Sequence, residues 1–193
     1  MEYHFNKEWM LALEERFGMQ VTRIGDVPLK NRPQVLVFYF QDFPTKGMLT
    51  AVTGGLSNAN HPDWKHGKPE LMFALQTEDH GWGAAAAYFA QSFFNDAAFT
   101  YGTSYKLDQP ASGDSAMNAA FVYKPAFMTQ EQCKFELQDR TIHVASLFPM
   151  YDEEVPLFEK MGVQEFWNAP NFDPFNPRRE RISPVAPAAP AQS

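Results

Sequence analysis

Residues 35–76 constrain the fold of this chain more than any other stretch. Val35-Leu36-Val37-Phe38-Tyr39-Phe40 is apolar on both alternating faces, the pattern of a strand buried on two sides. A turn with Pro44 (Gln41 to Gly47) leads to Met48-Leu49-Thr50-Ala51-Val52-Thr53, a second strand that runs into Gly54-Gly55-Leu56-Ser57-Asn58. After a polar loop, Glu70 to Gln76 alternates cleanly, with Leu71, Phe73 and Leu75 on one face. Strands spaced this closely predict a sheet.

The flanking segments read as helices and further strands. Asn6 is expected to cap a first helix whose stripe is Trp9, Met10, Leu13 and Phe17, with Gly18 as its stop. Residues 25–33 form a turn-rich connector. Ala84 to Ala97 predicts a largely buried helix, because its run of alanines lets a helix lie close against a sheet. Residues 100–118, rich in Gly, Ser, Thr, Asp and Pro, read as a long surface loop. Ala119 to Tyr123 is another apolar strand, and Cys133–Leu137 pairs with Thr141–Phe148 across the turn Gln138-Asp139-Arg140. Pro149 to Glu154 opens a helix with Val155, Leu157, Phe158 and Met161 inward, ended by Gly162; residues 163–168 add a short second one. From Pro170 the composition turns to Pro, Asn and Asp. The expected organisation is therefore one α+β domain, residues 1–170, and an extended or disordered tail, residues 171–193, with Arg178, Arg179 and Arg181 as a solvated cluster.

Length and charge exclude several classes. A chain of 193 residues with 18 Phe can bury a single core and needs no staple. Its one cysteine, Cys133, forms no internal disulfide and suits a reducing compartment. No apolar run approaches a membrane span, and Met1-Glu2-Tyr3-His4-Phe5 lacks the pattern of a signal peptide, so a cytoplasmic protein is expected. A net charge of −7 argues against nucleic acid as a partner; it serves solubility and favours a basic protein partner.

Candidate chemistry is thin. His61, Asp63 and His66 share one loop, and Glu78, Asp79 and His80 another, but neither has a recognised zinc spacing, so no metal or other cofactor is expected. Ser57 lacks the second glycine of a nucleophile elbow, and Gly54-Gly55 lacks the lysine of a phosphate cradle. Those glycines read as a sharp turn. Cys133 reads as a buried filler, His143 as a half-exposed structural histidine, and Glu153 and Glu154 as helix caps.

Two stretches together resemble the suppressor-of-fused domain family. One is Thr53-Gly54-Gly55-Leu56-Ser57 with Pro69-Glu70-Leu71 downstream; the other is Leu147-Phe148-Pro149-Met150-Tyr151-Asp152-Glu153-Glu154 running through Phe158-Glu159-Lys160-Met161-Gly162. The opening strand followed by Phe43-Pro44 is also similar, so the resemblance covers roughly residues 30–170. It implies a mixed β-sheet flanked by helices and no enzymatic activity. The animal member restrains a transcription factor with this domain and a second one, for which this chain leaves no room. Bacterial relatives are usually single domains, many of them immunity proteins. The leading reading is a non-catalytic protein-binding module, of the immunity type that neutralises a toxin, with His61, Trp64, His66, Tyr101 and Tyr105 as loop residues suited to an interface. The alternatives are a hydrolase or metal enzyme using His61, Asp63, His66 or Ser57, and a self-associating scaffold.

Overall fold

The computed structural model describes residues 2–183. The three strands expected between residues 35 and 76 form as β2 (Leu36–Gln41), β3 (Leu49–Gly54) and β4 (Lys68–Leu75). They pair antiparallel in sequence order, with Phe38 opposite Val52 and Ala51 opposite Phe73. A short strand β1 (Arg23–Asp26) adds to the outer edge of β2, inside the stretch read as a connector. The other strands are β5 (Ser104–Lys106), β6 (Ala119–Tyr123), β7 (Lys134–Glu136) and β8 (Thr141–Met150). The sheet runs β1-β2-β3-β4-β8-β6-β5, and β7 pairs with the start of β8. Only β4 and β8 pair in parallel, Pro69 opposite His143 and Leu71 opposite Ala145, which makes the sheet mixed.

Cover on both faces follows from the alternation along the strands. Helix α1 (Glu2–Phe17) lays Phe5, Trp9 and Leu13, one per turn, on Phe38, Phe40, Val52, Met72, Ile142 and Val144. The Trp9 indole donates to the Thr53 carbonyl at 2.8 Å, so its one polar atom is satisfied inside the core. On the opposite face α2 (Gly81–Ser92) packs Trp82, Ala85, Ala86 and Phe89 against Tyr39, Ala51, Leu71 and Phe73. Alanines on that side bring the helix close, as the composition predicts. The 3-10 turn Asp152–Glu154 leads into α3 (Val155–Met161), followed by α4 (Val163–Trp167). This pair shares the α1 face, where Phe121, Phe148, Phe158 and Phe166 form a third cluster. The result is one α+β domain.

Several boundaries differ from expectation. Asn6 does not cap α1, because the helix already begins at Glu2. The second helix starts at Gly81, three residues earlier than its alanine run, and ends at Ser92. The helix expected from Pro149 begins at Val155, because Pro149 and Met150 extend β8. The loop 100–118 contains β5.

The largest correction concerns residues 171–183, which do not form an extended tail. The Phe175 carbonyl accepts the Gln76 N–H at 2.7 Å, the Pro177 carbonyl accepts the Ser115 hydroxyl, and Ile182 is buried in the third cluster. Arg179, expected in a solvated cluster, is only 4% exposed. Without regular secondary structure, this strap is held by side chains and by the Gln76–Phe175 backbone bond, which compositional reading cannot foresee. The end of the expected tail, residues 184–193, lies outside the described residues.

Candidate interaction site

Both stretches that carry the resemblance are organised around a buried carboxylate. Glu70, fully buried at the start of β4, accepts the Gly55 N–H at 2.9 Å, the Ser57 N–H at 2.9 Å, the Leu56 N–H at 3.3 Å and the Thr53 hydroxyl at 2.6 Å. Thr53 Oγ1 in turn accepts the Leu71 N–H at 2.8 Å. The loop after β3 is thereby folded around one side chain. Gly55 sits at φ +137, and a Cβ there would lie 2.8 Å from the Gln34 carbonyl oxygen, so the loop accepts only glycine at that point. Arg140 latches the far side, donating to the Ser57 carbonyl and to Asn58 Oδ1 at 2.7 Å. Glu154 is the second case. It pairs with Arg179 at 2.6 and 2.7 Å and accepts the N–H groups of Tyr151 (3.0 Å) and Ile182 (2.7 Å). The two signature carboxylates therefore shape the fold and face inward, while Glu153, Glu159 and Lys160 of the second stretch are exposed.

Ser57 is equally enclosed. It is 0% exposed with its Oγ unpartnered, so a dissolved substrate cannot reach it in this arrangement. Asp63 sits on His61, its backbone N–H donating to Nδ1 at 3.2 Å and its carboxylate 3.8 Å from the same nitrogen. His66 is exposed. Among the described residues no three His, Cys, Asp or Glu side chains gather as a metal site would require.

The proposed interface residues separate into two groups. Tyr105 turns inward, ringed by Phe89, Phe93 and Phe99 at centroid distances of 5.0–6.4 Å. Trp64 and Tyr101 instead wall one cleft of about 460 Å³. The Trp64 indole donates to the Ala98 carbonyl at 2.9 Å and its ring leans on His61, while Tyr101 stands 49% exposed against Tyr123. His61 and His66 do not line the cleft, but the His66 carbonyl fixes its wall by accepting a bond from His143 Nε2 at 3.1 Å. Gly67 makes room for that imidazole: at φ +147, a Cβ would lie 2.3 Å from His143 Cδ2.

Topology creates the cleft. β8 changes its outer neighbour from β7, beside residues 141–143, to β6, beside residues 146–150. The connection from residue 124 to 133 must swing away from the sheet at that gap, leaving Ala145 and Pro69 as floor, with Met128, Cys133 and Lys124 around it. Sequence reasoning missed these last residues, because the connection carries no periodicity that assigns a face. Burial pushes the Cys133 thiol up to about 11, so it stays protonated and unreactive at neutral pH. No helix among the described residues is long and apolar enough to cross a membrane.

Comparison with known proteins agrees with this architecture. The family model described as suppressor of fused protein (SUFU) matches residues 31–180, and the chain belongs to that family. A SUFU homolog from Neisseria gonorrhoeae superposes with a TM-score of 0.74 at 14% identity, covering 95% of this chain and all of the other. The structure of a Sufu–Fu complex gives a TM-score of 0.65 at 12% identity over 91% of both chains. Drosophila Suppressor of Fused gives 0.64 at 12% identity over 92% of this chain, which spans about half (51%) of that protein. At such identities the likeness concerns the fold alone. A search of curated proteins finds no match.

Proposed function

We propose that this chain is a cytoplasmic protein-binding module that acts by occupying a partner's surface, with no bond made or broken. The observation that carries the reading is the cleft at the β7–β6 switch. It is preformed and open, and the exposed aromatic ring of Tyr101 stands at its rim beside Trp64. Aromatic side chains held rigidly at a concavity serve as anchors, each contributing about 2 kcal/mol or more when a partner covers them. Family membership supports the same reading, since one solved relative is seen in a Sufu–Fu complex. In its finer form the module is an immunity-type protein that occludes a toxin, a reading supported by the resemblance to bacterial single-domain relatives.

Affinity capture from the native host, with the wild type and Tyr101→Glu side by side, tests this. A protein retained by the wild type and lost with the variant is expected, and in the finer form that protein is toxic when expressed alone. Identical captures from both, or none under several growth conditions, would sink the reading.

A further inference from the structure

We infer that the cleft selects a partner segment in which a bulky apolar side chain stands next to a carboxylate. This rests on the binding-module reading and specifies what is bound. The chain carries 23 acidic and 16 basic residues, yet no Asp or Glu side chain lines the cleft. Among the described residues its two nitrogen bases are Lys124 and His143. Lys124 is exposed and, among the described residues, forms no ion pair; exposed Asp63 and Lys65 flank Trp64 in sequence, offset each other, and lie outside the cleft lining. Glu131 is the one carboxylate in the connection 124–133; it is exposed and lies outside the cleft lining.

The interior is apolar where a side chain would lodge: Phe99, Met128, Pro69 and Ala145, with the protonated Cys133 thiol among them. A volume of about 460 Å³ admits an aromatic ring with part of its backbone. Methionine gives the wall some adaptability. A carboxylate beside the ring then meets Lys124, the one ammonium in the lining, where attraction acts across a few ångströms. The net charge of −7 opposes an acidic ligand only at long range, and salt screens it beyond about 8–10 Å. A basic segment would find no counter-charge in the cleft lining and would face Lys124.

Titration of the full-length, isotope-labelled chain with three blocked peptides tests the assignment by NMR. They are Gly-Asp-Phe-Asp-Gly and its counterparts with Asn or with Lys in place of Asp. The expected result is weak saturable binding of the Asp peptide, with shifts at the Trp64 indole and the Gly67 and Thr100 amides. Affinity should fall about three- to tenfold for the Asn peptide, the loss of a rim charge pair, and further for the Lys peptide. Lys124→Gln, a change at an exposed position that leaves the fold intact, should bring the Asp and Asn peptides within about twofold of each other. Equal or tighter binding of the Lys peptide, or unchanged discrimination in Lys124→Gln, would overturn the charge assignment and leave the binding module standing. No shift with any peptide would overturn both the assignment and the choice of cleft.

Discussion

Glu70 and Glu154 are the same residue type in equally dry surroundings, 0% and 2% exposed, yet they are satisfied in opposite ways. Among the described residues Glu70 forms no ion pair. Its acceptors are filled by three backbone N–H groups and a hydroxyl, all contributed by residues 53–57. Glu154 is paired with the Arg179 guanidinium, itself buried, and holds a segment 25–28 positions further along the chain. The first carboxylate belongs to the local fold of a loop. The second is a fastener for the strap. The difference teaches that a backbone-satisfied carboxylate has no substitute partner, whereas a paired one is exchangeable together with its partner.

The largest effect should therefore come from Glu70→Ala. It strips four donors of their acceptor at once, and at about 1–3 kcal/mol for each one left unsatisfied the loss is about 4 kcal/mol or more. That approaches the whole stability of a typical domain. Glu70→Gln should cost about half as much, because its amide keeps one acceptor oxygen but turns an NH₂ toward backbone N–H groups. Urea unfolding measures both, and a Gln variant as stable as the wild type would break the comparison.

Arg179→Met comes next, at about 3–5 kcal/mol, since it leaves Glu154 charged and alone in the core. The double variant Glu154→Gln, Arg179→Met removes that charge and retains an acceptor for one of the Tyr151 and Ile182 N–H groups. Roughly half the loss should return, read as a coupling in a double-mutant cycle. The single variant should also free the strap, seen as chymotryptic cleavage at Phe172 or Phe175. If the double variant is no better than the single, the two carboxylates do not differ as argued.

A third carboxylate lies between these cases and sharpens the scale through pH. Asp114 accepts the Thr77 hydroxyl at 2.5 Å, the Trp82 indole at 3.0 Å and exposed Arg178 at 3.3 Å. Partial burial works to raise its pKa, but these hydrogen bonds outweigh burial and hold it below the ordinary value. A carboxyl depressed in the folded state adds stability above its unfolded value, about 3.9, and that contribution fades as pH falls through the folded one. Asp114→Asn should therefore cost less than about 1 kcal/mol at pH 7, discounted for screening at the partly exposed site, and nothing once the wild type is protonated. Stability measured from pH 7 down to pH 3 should show the two curves converging.

The same contrast explains how much could be read from the sequence. Alternation and helical spacing exposed β2, β3, β4, β6, the paired β7 and β8, and all four helices, because those signals are local and periodic. Glu70 could only be seen as a residue of the signature stretch; that its carboxylate is turned onto the preceding loop is a matter of three dimensions. The parallel pairing of β4 with β8 left no trace, and with it went the cleft, since its walls come from four separated segments. Trp64 and Tyr101 were selected as loop aromatics, and so was Tyr105, which packs inward; loop membership alone does not assign a direction. Arg179 looked solvated because its partner Glu154 lies outside its own Pro-, Asn- and Asp-rich stretch.

The weakest link in the series is Arg181 with Glu153, two positions after Arg179 and one before Glu154. Their nitrogen and oxygen stand 3.9 Å apart, with both side chains more than half exposed. In water the attraction is nearly cancelled by hydration and by the entropy of holding two long side chains. Arg181 also lies over the Tyr151 ring at 4.2 Å, a contact worth about 0.5 kcal/mol at an exposed site. Arg181→Ala should therefore lower stability by about 0.5 kcal/mol, several-fold less than Arg179→Met two residues away. That deficit should survive 0.5 M salt, because the stacking remains when the ion pair is screened. A loss near 3 kcal/mol, or one abolished by salt, would mean that the exposed Arg181 pair fastens the strap as strongly as the buried Glu154 pair does.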